Sequence, residues 1–175
     1  MKHVYVVDQP ISYCSFYQCD GEFTIDETRD LWFSQGQIPG LMAVAIVKKR
    51  FTNLSSIPKV RGSYVEDHRT HTRGLIRTLN SNSGISFNKS SQNGAGRSVN
   101  LDEHADNLTA LDYIIVMDIR SFPTLHFYTL PIEVLEGPTL VTEDLVNGYP
   151  ITKMDTETFD LVVQRMNLKK VEVVL

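Results

Sequence analysis

Residues 113–119 read Tyr-Ile-Ile-Val-Met-Asp-Ile, apolar at odd and even positions alike. Side chains of a strand alternate between its two faces, so a run of this kind is a strand covered on both sides. A second apolar stretch, Leu125–Leu135, follows after the turn Ser121-Phe122-Pro123, with Pro131 ending it or marking a bulge. Two sequence-adjacent strands, one of them covered above and below, predict a sheet between layers rather than a bundle or an open meander.

The remaining segments supply strands and layers. Residues 3–8 predict a short strand, and 24–35 a helix that opens on the capping-box pair Thr24 and Glu27 and stops at Gly36. The run Leu41–Val47 is apolar and rich in β-branched residues; Pro39 and Gly40 stand before it and Lys48 after it, and its length predicts a buried strand. Residues 51–63 predict a loop. Residues 64–79 predict an extended segment in which Arg69, His71 and Arg73 share one face and Gly74 marks a bulge or a close backbone approach. A turn at 80–84, a short strand at 85–88 and a flexible Ser/Asn/Gly-rich loop at about 80–100 follow. A short helix is predicted over 101–112, a helical turn near 142–148, a helix from about Asp155 to Leu168 with Phe159, Val162, Val163 and Met166 on one face, and a last strand over 171–175. The expected fold is α+β, a mixed central sheet of about five to six strands flanked by helices, in one domain spanning 1–175.

Charge is distributed unevenly along this order. Ten basic residues lie between Lys48 and Arg97, opposed only by Glu66 and Asp67, a net +8 in a chain whose total is −4. Such an asymmetry points to a polyanion-facing surface, and DNA or RNA is the expected partner. The candidate phosphate contacts are Lys48, Lys49, Arg50, Arg69, Arg73, Arg77, Lys89 and Arg97. The other reading of the same charge is a protein-interaction domain whose basic middle meets an acidic partner or a second copy of the chain. No apolar run approaches the roughly 18 residues of a membrane span, and nothing reads as a signal peptide, so a cytoplasmic location without membrane association is expected. Cys14 and Cys19 form a lone CxxxxC pair, two ordinary thiols rather than a zinc site, which takes four ligands.

No P-loop, GxGxxG, HExxH, paired CxxC or GxSxG is present, which excludes the enzyme classes those motifs announce. His68 and His71, with His104 and the carboxylates Asp102, Glu103 and Asp106, have the residue types for a metal, but histidines three apart on a strand point to opposite faces. His68 and His126 are the pair a histidine-dependent phosphoesterase would need. Asp118 closes the buried strand, a position suited to a functional carboxylate.

The order of a helix, three strands, a helix and two further strands resembles the restriction-endonuclease-like, or PD-(D/E)XK, core. The residues that carry the resemblance are LDEHADNLTALDYIIVMDI followed by LHFYTLPIEVL, with GLIRTLNSNSGISFN at the family's catalytic strand and the next one. The resemblance implies nucleic-acid binding and Mg2+-dependent phosphodiester hydrolysis. The family's Glu-x-Lys occurs nowhere in this chain, and Arg77-Thr78-Leu79 stands where it is expected. A surviving catalytic site would be built from Lys48, Glu66, His71 and Asp118, with Glu27 as a further carboxylate; otherwise the domain binds without cutting.

Overall fold

The computed structural model describes residues 38–57, 63–80, 84–88, 97–136 and 148–174. The strand expected at 3–8, the helix at 24–35, Cys14, Cys19, Glu27, Lys89 and the helical turn near 142–148 lie outside the described residues.

The first described element is helix α1, Ile38–Arg50. Strands β1 (Leu54–Ser56), β2 (Tyr64–Asp67) and β3 (Arg73–Leu79) follow, then the two-residue β4 (Ile85–Ser86). Helix α2 (Leu101–Thr109) leads into β5 (Tyr113–Asp118) and β6 (Thr124–Pro131). A four-residue helix α3 (Glu133–Glu136), β7 (Lys153–Met154), α4 (Thr156–Arg165) and β8 (Lys170–Val174) complete the order. Six strands form one sheet in the order β1-β2-β3-β5-β6-β8. All neighbours in it are antiparallel except β3 and β5, which run parallel with Leu75 opposite Ile114 and Leu79 opposite Asp118. The expected α+β fold with a mixed central sheet of five to six strands flanked by helices is the observed one.

The central strand separates two apolar layers, as its sequence demands. Ile115 and Met117 of β5 pack with Met42, Ala43, Ile46 and Val47 of α1. Ile114 and Val116 point the other way, into a layer made with Leu108 of α2, Val134 and Leu135 of α3, and Phe159 and Val162 of α4. The small β4–β7 ribbon, Ile85 opposite Met154, belongs to this second layer.

Three expectations are corrected. Leu41–Val47 is not a strand but the middle of α1. Its buried residues fall at 42, 43, 46 and 47, one helical stripe against the sheet. The charged residues of α1 all come in its last turn, so no polar face interrupts the apolar run. Pro39 sits in the first helical turn, where its missing N–H needs no partner, so it opens the helix instead of preceding a strand. Arg69, His71 and Arg73 do not share a strand face. Residues 68–72 are a turn, closed by the His71 N–H donating to the Asp67 carbonyl at 2.7 Å, with His71 itself in left-handed backbone at φ 58°. The predicted loop 51–63 contains β1. Gly74, by contrast, does mark a close approach: a Cβ there would stand 2.2 Å from Cε2 of the Tyr113 ring on the neighbouring strand.

Candidate functional site

The basic residues divide between two places. At one end of the sheet, α1 finishes in Lys48, Lys49 and Arg50, all exposed and favourably placed at the negative end of the helix dipole. The chain turns at Phe51, whose ring meets Phe127 edge-on at 5.8 Å, and enters β1. Asn53 then ties this corner to the β2–β3 turn: its side-chain amide donates to the Asp67 carboxylate at 2.6 Å, and its carbonyl accepts from the His68 N–H at 3.1 Å. The cations of the helix end and of the turn thus belong to one corner of the molecule.

Asp67 places one negative charge at that corner but forms no ion pair with its lysines or arginines among the described residues. The Arg69 backbone N–H donates to its Oδ1 at 2.8 Å, and this bond, with that of Asn53, holds its carboxyl below the ordinary range. Its oxygens accept from its own turn and from Asn53, and it stays ionised. Arg73 is engaged differently, with Nε 3.5 Å from Glu66, which also lies 3.7 Å from His71 Nδ1. The Arg73 N–H donates to Asp112 at 2.7 Å. Lys48, Arg50 and Arg69 form no ion pair with the described residues and project into solvent. Arg97 is exposed just ahead of α2.

Arg77 lies apart from this corner. It sits four residues beyond Arg73 on β3, about 13 Å along the strand, on the face covered by α2. Its guanidinium donates to the carbonyls of Ile76, Phe87 and Asn88 at 3.1–3.2 Å. Nearby His104 is buried, with Nε2 3.1 Å from the Ile151 carbonyl. Burial pushes its imidazole below 6.5, the carbonyl partly opposes this, and the charge of Arg77 adds to it. The folded state therefore refuses a proton that the unfolded chain accepts. Stability from this group is complete above pH 6.5 and is lost as pH falls below it. The melting midpoint of His104→Gln, which retains a donor for Ile151, is expected to fall less than that of the parent between pH 6.5 and 5.5; equal slopes would refute the assignment.

A third polar group lies further along the same face, at the end of β5. Asp118, Arg120, His126, Tyr128, Asp160, Lys170 and Glu172 meet where β5, β6 and β8 approach α4. Register sets Asp118 beside His126 and His126 beside Glu172. The Arg120 guanidinium grips Asp118 at 2.8 and 2.9 Å and Asp160 of α4 at 2.7 and 2.9 Å. Those hydrogen bonds, Asp160 first, raise the Arg120 pKa. Glu172 lies 2.7 Å from Lys170 and 3.5 Å from His126 Nε2, and the lysine lowers its pKa. Tyr128 is raised, by burial first and then by Asp118.

The four residues named as a catalytic set therefore do not converge. Glu66 and His71 meet at the start of β3, Lys48 leaves the helix on the opposite layer, and Asp118 stands at the far end of β5. His68 and His126 are likewise at opposite ends. Among the described residues no three His, Cys, Asp or Glu side chains gather as metal ligands. β3 carries no carboxylate to join Glu66, and Glu66 is shared between a guanidinium and an imidazole. Among the described residues this set lacks the gathered carboxylates that Mg2+ takes, and Glu27 lies outside them. Arg120, Asp160 and Lys170 had no place in the sequence reading; the Asp-x-Arg spacing at 118–120 was the available signal. No described helix is long and apolar enough to cross a membrane. No family model matches the chain, and neither any curated protein nor any solved structure is found to be similar to it.

Proposed function

We propose that the protein binds nucleic acid through its phosphates, at the corner where the end of α1 meets the β2–β3 turn, as a non-cutting relative of the restriction-endonuclease-like nucleases. The observation that carries this is the exposure of Lys48, Arg50 and Arg69 without ion-pair partners among the described residues, three cations where Asp67 supplies one negative charge. The run α2-β5-β6, a helix followed by two strands, supports the kinship, since it is what the resemblance implies for the back half of the core. Phosphate contacts of this kind confer affinity without sequence preference and weaken with salt as counterions are recaptured.

Fluorescence anisotropy with labelled duplex DNA and with RNA, repeated across a salt series, tests the reading. Binding is expected to fall log-linearly with salt, and the K48E/R50E/R69E variant to lose more than tenfold in affinity with a slope shallower by about 2–3. Salt-insensitive or absent binding would sink it. Light scattering in the same samples separates the interaction-domain reading, which expects a dimer that hides the basic corner and binds no nucleic acid. Mg2+-dependent cleavage lost in Glu66→Gln would return the domain to the enzymes.

A further inference from the structure

Among the described residues Arg77 is a cation with neutral partners only. Of its five donor hydrogens, three go to the carbonyls of Ile76, Phe87 and Asn88, leaving the Nε–H and one Nη1–H. No carboxylate among the described residues pairs with it, and burial pushes its pKa down to about 10, opposed only by Tyr64. A guanidinium withdrawn from water without a counter-charge is costly. A second, independent vacancy lies on the residue it already touches. Asn88 is 4% exposed; its Oδ1 accepts from the Ser86 hydroxyl, while its Nδ2 is buried with no partner among the described residues. The neighbouring buried imidazole, His104, carries no negative charge. One positive charge, two guanidinium hydrogens and the amide of a residue whose carbonyl that guanidinium holds thus have no acceptor among the described residues. Arg77 is half-buried and is the part of the group that reaches solvent, while Asn88 and His104 are buried.

We propose that Arg77 and Asn88, flanked by Tyr64 and His104, form a binding site for a single phosphate group. A tetrahedral oxyanion has enough oxygens to accept from the guanidinium and the amide together, and its charge offsets that of Arg77. The site stands on β3 away from Lys48, Arg50 and Arg69, and does not depend on nucleic-acid binding at that corner. If instead Arg77 only clamps residues 87 and 88 onto β3, its carbonyl bonds are complete without an anion.

Inorganic phosphate titrated into the full chain, with chloride and acetate at matched ionic strength, distinguishes these. Phosphate at ten times its dissociation constant is expected to raise the melting midpoint by about 3 °C over chloride. It is also expected to shift the Arg77 Nε–H resonance. Asn88→Asp keeps the acceptor for Ser86 and places a fixed carboxylate beside Arg77. This variant is expected to melt higher than the parent without phosphate and to lose the phosphate response. No shift over chloride in the parent overturns the site. So does an N88D protein that melts lower than the parent, or one that still responds to phosphate. An acetate effect equal to that of phosphate overturns the phosphate assignment. Arg77→Gln, where it folds, is expected to be unresponsive, and a parental response in it also overturns the site.

Discussion

Arg120→Met is expected to lower the stability of the fold by about 3 kcal/mol, because it strands a carboxylate in the interior. Asp118 is 3% exposed at the end of β5, and Arg120 supplies three of its hydrogen bonds: one from the backbone N–H at 3.0 Å and two from the guanidinium. The methionine keeps the backbone bond and most of the aliphatic volume but removes the charge. The remaining partner of Arg120, Asp160, has a side chain 55% exposed, so water solvates it once it is released. The loss is therefore assigned to Asp118. Two controls follow in denaturant titrations. Asp160→Asn alone is expected to cost 1 kcal/mol or less, in line with a solvent-screened pair. Asp118→Asn combined with Arg120→Met is expected to recover at least half of the single-variant loss, since no buried charge then lacks a partner. A double variant less stable than Arg120→Met would show that Asp118 matters for packing and not for its charge. Either way, Asp118 is held by a salt bridge that joins β5 to α4, and it enters no metal site among the described residues.

The sheet was legible where residues announce a period or a covered strand. Tyr113–Asp118, Thr124–Pro131, α2 and α4 lie close to where their patterns put them. α1 was not legible as a helix, because a helix pressed against a sheet with all its charges in the last turn shows no polar stripe along its length. The β2–β3 turn was not legible either. Its bend is set by Asp67 and by the left-handed His71, neither of which is a glycine or proline signal, so three alternating residues imitated a strand face. For the candidate site, the concentration of charge between Lys48 and Arg97 could be read from the sequence, but its division could not. Arg73 and Arg77 stand four positions apart on one strand and share a face, yet among the described residues the first meets a carboxylate at the sheet's end and the second meets only carbonyls under α2. What decides between them is the neighbouring strand and loop, which sequence spacing along β3 does not contain.

The same dependence on neighbours makes Phe159 the side chain of α4 whose loss should cost most, even though its place on the helix was evident from the 3.6-residue repeat. Phe159→Ala is expected to lower stability by about 3–5 kcal/mol. The ring is fully buried and stands edge-on to Tyr128 of β6, with centroids 5.4 Å apart and planes at 81°. Alanine removes that contact and leaves a void between α4 and the sheet. The helix itself should survive. Its N-cap, Asp155 accepting from the Thr158 N–H at 2.7 Å, is untouched, and Val162 still faces the sheet. The distinguishing measurement is the coupling to Arg120. The guanidinium joins α4 to β5 through Asp160, one residue from Phe159. If α4 is seated jointly by the ring and the ion pair, Phe159→Ala and Arg120→Met together should cost less than their separate effects added, because a helix already loosened by one change loses less by the other. Strict additivity would mean that the ring and the salt bridge hold independent parts of the second layer.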